Sequence, residues 1–162
     1  MTRGGRSRRL SLPVALLATL LLFLPLVACG GSSRDEPPPD PHQELRDRLG
    51  LDPDREIDRV TLGGRGGDEH VAPTLLRVGP GAVVEFLCVD GRVHSVRFPR
   101  DSLTAEAAAF LSRTSQLASP PLVDRGSRFV LTFEGAPPGR YPFLVEGSGG
   151  AGQGVIVVGA GG

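Results

Sequence analysis

The 162-residue chain has no tryptophan, one tyrosine, one methionine and two cysteines. Without tryptophan, the aromatic platforms on which sugars usually stack are missing. Lysine is absent too: all 18 basic residues are arginine, and 18 acidic residues balance them. No net field favours a polyanion, so nucleic acid is not an expected partner. The sequence has no H-E-x-x-H, C-x-x-C or phosphate-binding loop, and no spacing that suggests a Ser-His-Asp arrangement. The expectation is therefore a protein that is not an enzyme. What is abundant is glycine (23) and proline (15), the composition of a turn-rich β protein.

The first ten residues carry four arginines and no acid, and an apolar run follows up to Ala28. This is the pattern of an export signal. Leu26-Val27-Ala28-Cys29 resembles the lipobox of bacterial lipoproteins, which implies cleavage before Cys29 and lipidation of its thiol. Ser7-Arg8-Arg9-Leu10 also partly resembles a twin-arginine signal, without its usual phenylalanine. The domains expected are a signal peptide over 1–28, a lipidated cysteine with a Pro-rich tether over 29–55, and one folded domain over 56–159. The exported protein would be lipid-anchored to a bacterial cell membrane, facing the periplasm or exterior. Within the tether, 42–51 has Leu45 and Leu49 at helical spacing, with Gly50 as a stop, enough for about two turns if the segment packs on something. With Cys29 lipidated, Cys88 is the one thiol left, and no disulfide can form within the mature domain.

Seven short strands are expected: 57–62, 71–78, 82–89, 92–98, 127–133, 140–146 and 154–158. One helix is expected over 102–111, capped by Ser102, with Leu103, Ala107, Phe110 and Leu111 on one face. Alternation sets Phe129, Leu131 and Phe133 on one side of their strand, and Tyr141, Phe143 and Val145 on one side of theirs. Asp90-Gly91 reads as a two-residue hairpin turn. Leu87 would then pair with His94 and Cys88 with Val93, so that Cys88 and His94 point to opposite faces and do not share a metal. Glycine-rich loops are expected around Asp68-Glu69-His70 and between 147 and 154, and His70 is read as a solvated loop residue. His42 belongs to the tether.

The order of these features carries more than any one of them. Pro73, Leu76, Val78 and Gly81 are followed by Val84, Phe86, Asp90 and the His94 strand; then come a helical excursion, a Gly126-to-Phe133 strand, and Pro138-Gly139-x-Tyr141-x-Phe143 with a glycine loop into the last strand. Over 57–158 this resembles the cupredoxins, the plastocyanin and azurin type of copper domain. The resemblance implies an all-β Greek-key β-sandwich with one short helix. It also implies a site of two imidazoles, a thiolate and a weak axial ligand, with the first imidazole on the strand where His94 stands and the other ligands in the glycine loop. There the cysteine position is Val145, the histidine position is Ser148, and the methionine position falls on Gly152 or Gln153. Ser95 follows His94 where the family usually has asparagine. The copper site is thus expected to be degenerate, with His94 as its residual position and no cofactor. The function expected is a redox-inactive binding or structural module of the cell envelope, partnered by the membrane and by an unnamed envelope protein or ligand. The alternative is copper binding or electron transfer through a reduced, non-standard ligand set.

Overall fold

The computed structural model of the chain describes residue 40 and residues 42–147 and 150–160. The expected signal peptide, Cys29 and Ser148 lie outside the described residues.

Among the described residues there are eight strands: β1 (Ile57–Arg65), β2 (Asp68–Ala72), β3 (Leu75–Val78), β4 (Val83–Cys88), β5 (His94–Arg97), β6 (Arg128–Thr132), β7 (Gly139–Gly147) and β8 (Ala151–Val158). Helix α1 (Gln43–Leu49) precedes them, and α2 (Ala105–Arg113) lies between β5 and β6. The strands form two four-stranded sheets, ordered β2-β1-β4-β6 and β3-β8-β7-β5. In each sheet one pair is parallel, β1 with β4 and β3 with β8, while the other pairs are antiparallel. This is the expected Greek-key sandwich of cupredoxin type.

The alternation read from the sequence builds its core. Val84, Phe86 and Cys88 point inward from β4, and Tyr141, Phe143 and Val145 from β7; Ile156 and Val158 do so from β8. Leu131 and Phe133 are buried as expected, and Phe129 is partly buried. The Tyr141 hydroxyl donates to the Pro137 carbonyl at 2.7 Å, which satisfies the one polar atom of that buried ring. Helix α2 buries Ala107, Phe110 and Leu111. Its cap is Thr104, whose hydroxyl accepts from the Ala107 N–H at 3.2 Å; Ser102, the expected cap, instead ends a single 3-10 turn over Arg100–Ser102.

Three sequence expectations change here. The run 71–78 is two strands in different sheets, because Pro73 has no N–H to continue a ladder. Asp90-Gly91 is a turn but not a hairpin: β4 pairs with β1 and β6, whereas β5 pairs with β7 in the other sheet. Leu87 lies opposite Arg128, and His94 opposite Gly147. The reason is the Asp90 side chain, which accepts from the N–H of Arg92 at 3.0 Å and of Gly64 at 2.6 Å and so holds the chain as it crosses between the sheets. The two-residue hairpin lies instead at Gly66-Gly67, both at positive φ, so the expected loop at 68–70 is strand β2. The third change is at the glycine run 147–154. The β7–β8 ladder extends to Glu146 opposite Ala151, so most of the run is strand. Gly154 is there because a Cβ would fall on the ring of Phe143, its partner in β7.

Part of the expected tether also packs on the sandwich. Leu45 of α1 is 3% exposed, set against Ile57 and Val83 on the outer face of the first sheet. Gly50 ends the helix in the left-handed conformation, with φ at 63°.

Candidate metal centre

Because β4 and β5 belong to opposite sheets, their inward faces converge where the sequence reading had them diverge. Cys88 is the last inward residue of β4, and His94 is the first of β5. The side chain of Asp90 reaches between them. One donor atom from each of Cys88, Asp90 and His94 lies within 4.8 Å of the others. His94 Nε2 is 2.8 Å from Asp90 Oδ1. The Cys88 thiol faces the Asp90 carbonyl at 3.3 Å and Asp90 Oδ1 at 3.7 Å. His94 and Cys88 are buried, and the Asp90 side chain, 25% exposed, is the open side of the cluster.

A fourth group stands on the other side of the ring. His94 Nδ1 is 2.7 Å from Oε2 of Glu69, whose side chain is fully buried. Leu62 and Val71 face inward as a pair, and two residues along the same ladder Gly64 and Glu69 share that parity. The second oxygen, Glu69 Oε1, has no hydrogen-bond partner among the described residues.

The electrostatics follow from burial and hydrogen bonding. Burial pushes the Cys88 thiol up, and the Asp90 charge beside it acts in the same direction. Burial also works to raise Asp90, but bonds from His94 and the N–H groups of Arg92 and Gly64 outweigh it and hold the carboxyl well below the usual range. The cluster is thus an anionic carboxylate beside a neutral thiol and an imidazole. These groups are able to hold a metal, since thiol, imidazole and carboxylate are the three side-chain donor types of transition-metal sites.

The family's own ligand positions do not assemble a site among the described residues. Val145 is a buried core residue opposite Val96 and Gly152. Gly152 offers no side chain. Gln153 is exposed, on the outward parity of β8 beside Pro142 and Thr74, so it cannot serve as an axial ligand. His70 is exposed on β2, away from the cluster, and His42 lies at the start of α1 on the outer face of the first sheet. The sequence reading thus found His94, set Cys88 aside, and passed over Asp90 and Glu69. The Gly66-Gly67 turn was the signal that would have made 68–72 a strand with Glu69 and Val71 inward.

No family model matches the chain, and no curated protein does. Solved structures do. The chain is similar to a purple cupredoxin from Nitrosopumilus maritimus, at 17% identity over 62% of this chain and 98% of that one, with a TM-score of 0.42. It is similar to a mutant plastocyanin of fern, at 22% identity over 62% and 98% of the two chains, with a TM-score of 0.46. It is also similar to a copper-containing nitrite reductase from Thermus scotoductus, at 22% identity over 65% of this chain and 23% of that one, with a TM-score of 0.48. The last of these corrects the expectation of a non-enzyme, since that neighbour is an enzyme, although the likeness assigns no activity to this chain. At these identities the likeness is one of fold, and the domain is cupredoxin-like.

Proposed function

We propose that the protein is a metal-binding module that holds one ion of the copper and zinc class through Cys88 Sγ, Asp90 Oδ1 and His94 Nε2. The observation that carries this is the convergence of the three donors within 4.8 Å at one end of the sandwich. Thiolate and imidazole favour copper and zinc over the hard cations, and copper is the first-row divalent ion that such a set holds most strongly. Bound there, the ion would supply a strong positive charge that replaces the thiol proton and the His94–Asp90 hydrogen bond. With one imidazole and a carboxylate in place of two imidazoles, the set is not that of a type 1 copper centre.

A second reading rests on the same ring. Both nitrogens of His94 face carboxylate oxygens, so the cluster also stands as a closed hydrogen-bonded clamp in a redox-inactive module. A native mass spectrum with and without one equivalent of Zn(II) or Cu(I) separates the two. Metal binding predicts a one-to-one complex that Cys88→Ser loses, while the clamp predicts bare protein in every sample.

The module is proposed to act at a membrane, exported and held through lipid on Cys29, with a partner in the cell envelope. Several acyl chains at roughly 0.8 kcal/mol per buried methylene give a lasting anchor. In cell fractions, Cys29→Ser should release the protein from the membrane pellet; unchanged membrane association would contradict the anchor.

A further inference from the structure

We propose that Glu69 is the positioning residue of this centre: it occupies the Nδ1 side of His94 and so directs the ion to Nε2, toward Cys88 and Asp90. This rests on the metal-binding reading above. A metal-bound histidine is commonly fixed by a carboxylate that accepts from its other ring nitrogen. Glu69 has that geometry, at 2.7 Å from Nδ1 with its side chain fully buried.

Gly147 of β7 and Gly152 of β8 show that the space is built for this carboxylate. A Cβ on Gly147 would fall on the Glu69 carboxylate and lie 2.9 Å from the Val93 carbonyl. A Cβ on Gly152 would approach Val71 Cγ2 to 2.6 Å and Glu69 Cβ to 3.3 Å. Any larger residue at Gly147 displaces the Glu69 carboxylate, and at Gly152 it presses on the side chains of Val71 and Glu69. These two glycines leave room for an acidic side chain from the other sheet to seal the Nδ1 side of His94, which leaves the Asp90 side as the one open to an ion.

Oε1, which has no partner among the described residues, agrees with this role. A buried carboxylate oxygen without a partner costs free energy, on the order of 1–3 kcal/mol. That cost persists where the other oxygen holds something in place.

The test follows the ring protons of His94 by NMR in the full folded domain, with Zn(II) as the probe. With Zn(II) bound, His94 should show one ring N–H signal, at Nδ1 and bonded to Glu69. Glu69→Leu should lose the Nδ1–H signal and weaken Zn(II) binding about 10- to 100-fold. Glu69→Gln, which keeps the shape and an acceptor oxygen, should keep the signal and lose less than about tenfold in affinity. Circular dichroism confirms the fold of each variant. Loss of the Nδ1–H signal on adding Zn(II), or unchanged affinity in Glu69→Leu, overturns the role of Glu69 while leaving metal binding intact. No Zn(II) binding by the wild type, with the Nδ1–H signal still dependent on Glu69, overturns the metal reading and leaves Glu69 a structural partner only.

Discussion

Two carboxylates, Glu69 and Glu85, have fully buried side chains, and each keeps one oxygen without a hydrogen bond among the described residues. Their surroundings differ. Glu85 points from β4 to the outer face of the first sheet. Arg59 Nε donates to its Oε2 at 2.7 Å, and Arg128 Nε stands 3.2 Å from Oε1 without the alignment of a hydrogen bond. His42 Nδ1 lies 3.7 Å away at the start of α1. Guanidinium groups carry no lone pair and stay charged, so Glu85 already has its cations, and neither Arg59 nor Arg128 offers a donor to a metal. Glu69 instead meets an imidazole whose far side faces a thiol and a second carboxylate. Those groups are able to exchange a proton or a hydrogen bond for an ion. Burial alone thus does not mark a functional acid; the partner's ability to give way does.

Breaking the Glu85 cluster should give the largest change in stability. Arg59→Met leaves a buried carboxylate short of its best-placed cation and should cost about 3 kcal/mol in urea unfolding, with metal stoichiometry unchanged. Loss of metal binding without loss of stability would mean that the two regions are coupled. A smaller effect is expected from the helix above that cluster. Leu45→Ala should cost about 2 kcal/mol, and a chain starting at Ile57 should lose at least as much, since α1 packs on Ile57 and Val83. No change would return 42–51 to the tether.

The smallest effect is a pH slope. Burial, then the nearby Arg59 charge, lowers His42 below its ordinary value of 6.5. The unfolded chain therefore takes up this proton first as the solution is acidified. Stability should fall as pH drops below about 6.5 and level off below the lowered folded value. His42→Gln should flatten that part of the profile, and an unchanged slope would place its origin elsewhere.

The sandwich was legible because inward residues alternate along β7, β8, β4 and β6, and period-2 patterning is local. The centre was not legible, because it depends on which sheet a strand joins. Asp-Gly between two strand-like runs is a valid turn signal, and read as a hairpin it puts Cys88 and His94 on opposite faces. The side-chain bonds of Asp90 to Gly64 and Arg92 carry the chain across instead, and one of those partners lies far away in sequence. Glu69 was hidden for a related reason. The glycines shortly before it, Gly63, Gly64, Gly66 and Gly67, read as loop, and the space it fills is created by Gly147 and Gly152 of the other sheet. His94 was found because the order of motifs around it is itself a long-range pattern.

The central claim is that Cys88 and His94 share an ion, and titration of the reduced domain with Co(II) tests it most directly. A thiolate bound to Co(II) gives an intense near-ultraviolet charge-transfer band, which imidazole and carboxylate ligands alone do not. The account predicts that this band saturates at one equivalent in the wild type and is absent in Cys88→Ser, with the fold of both retained. A wild type that shows no such band, or a band unchanged in Cys88→Ser, would contradict it.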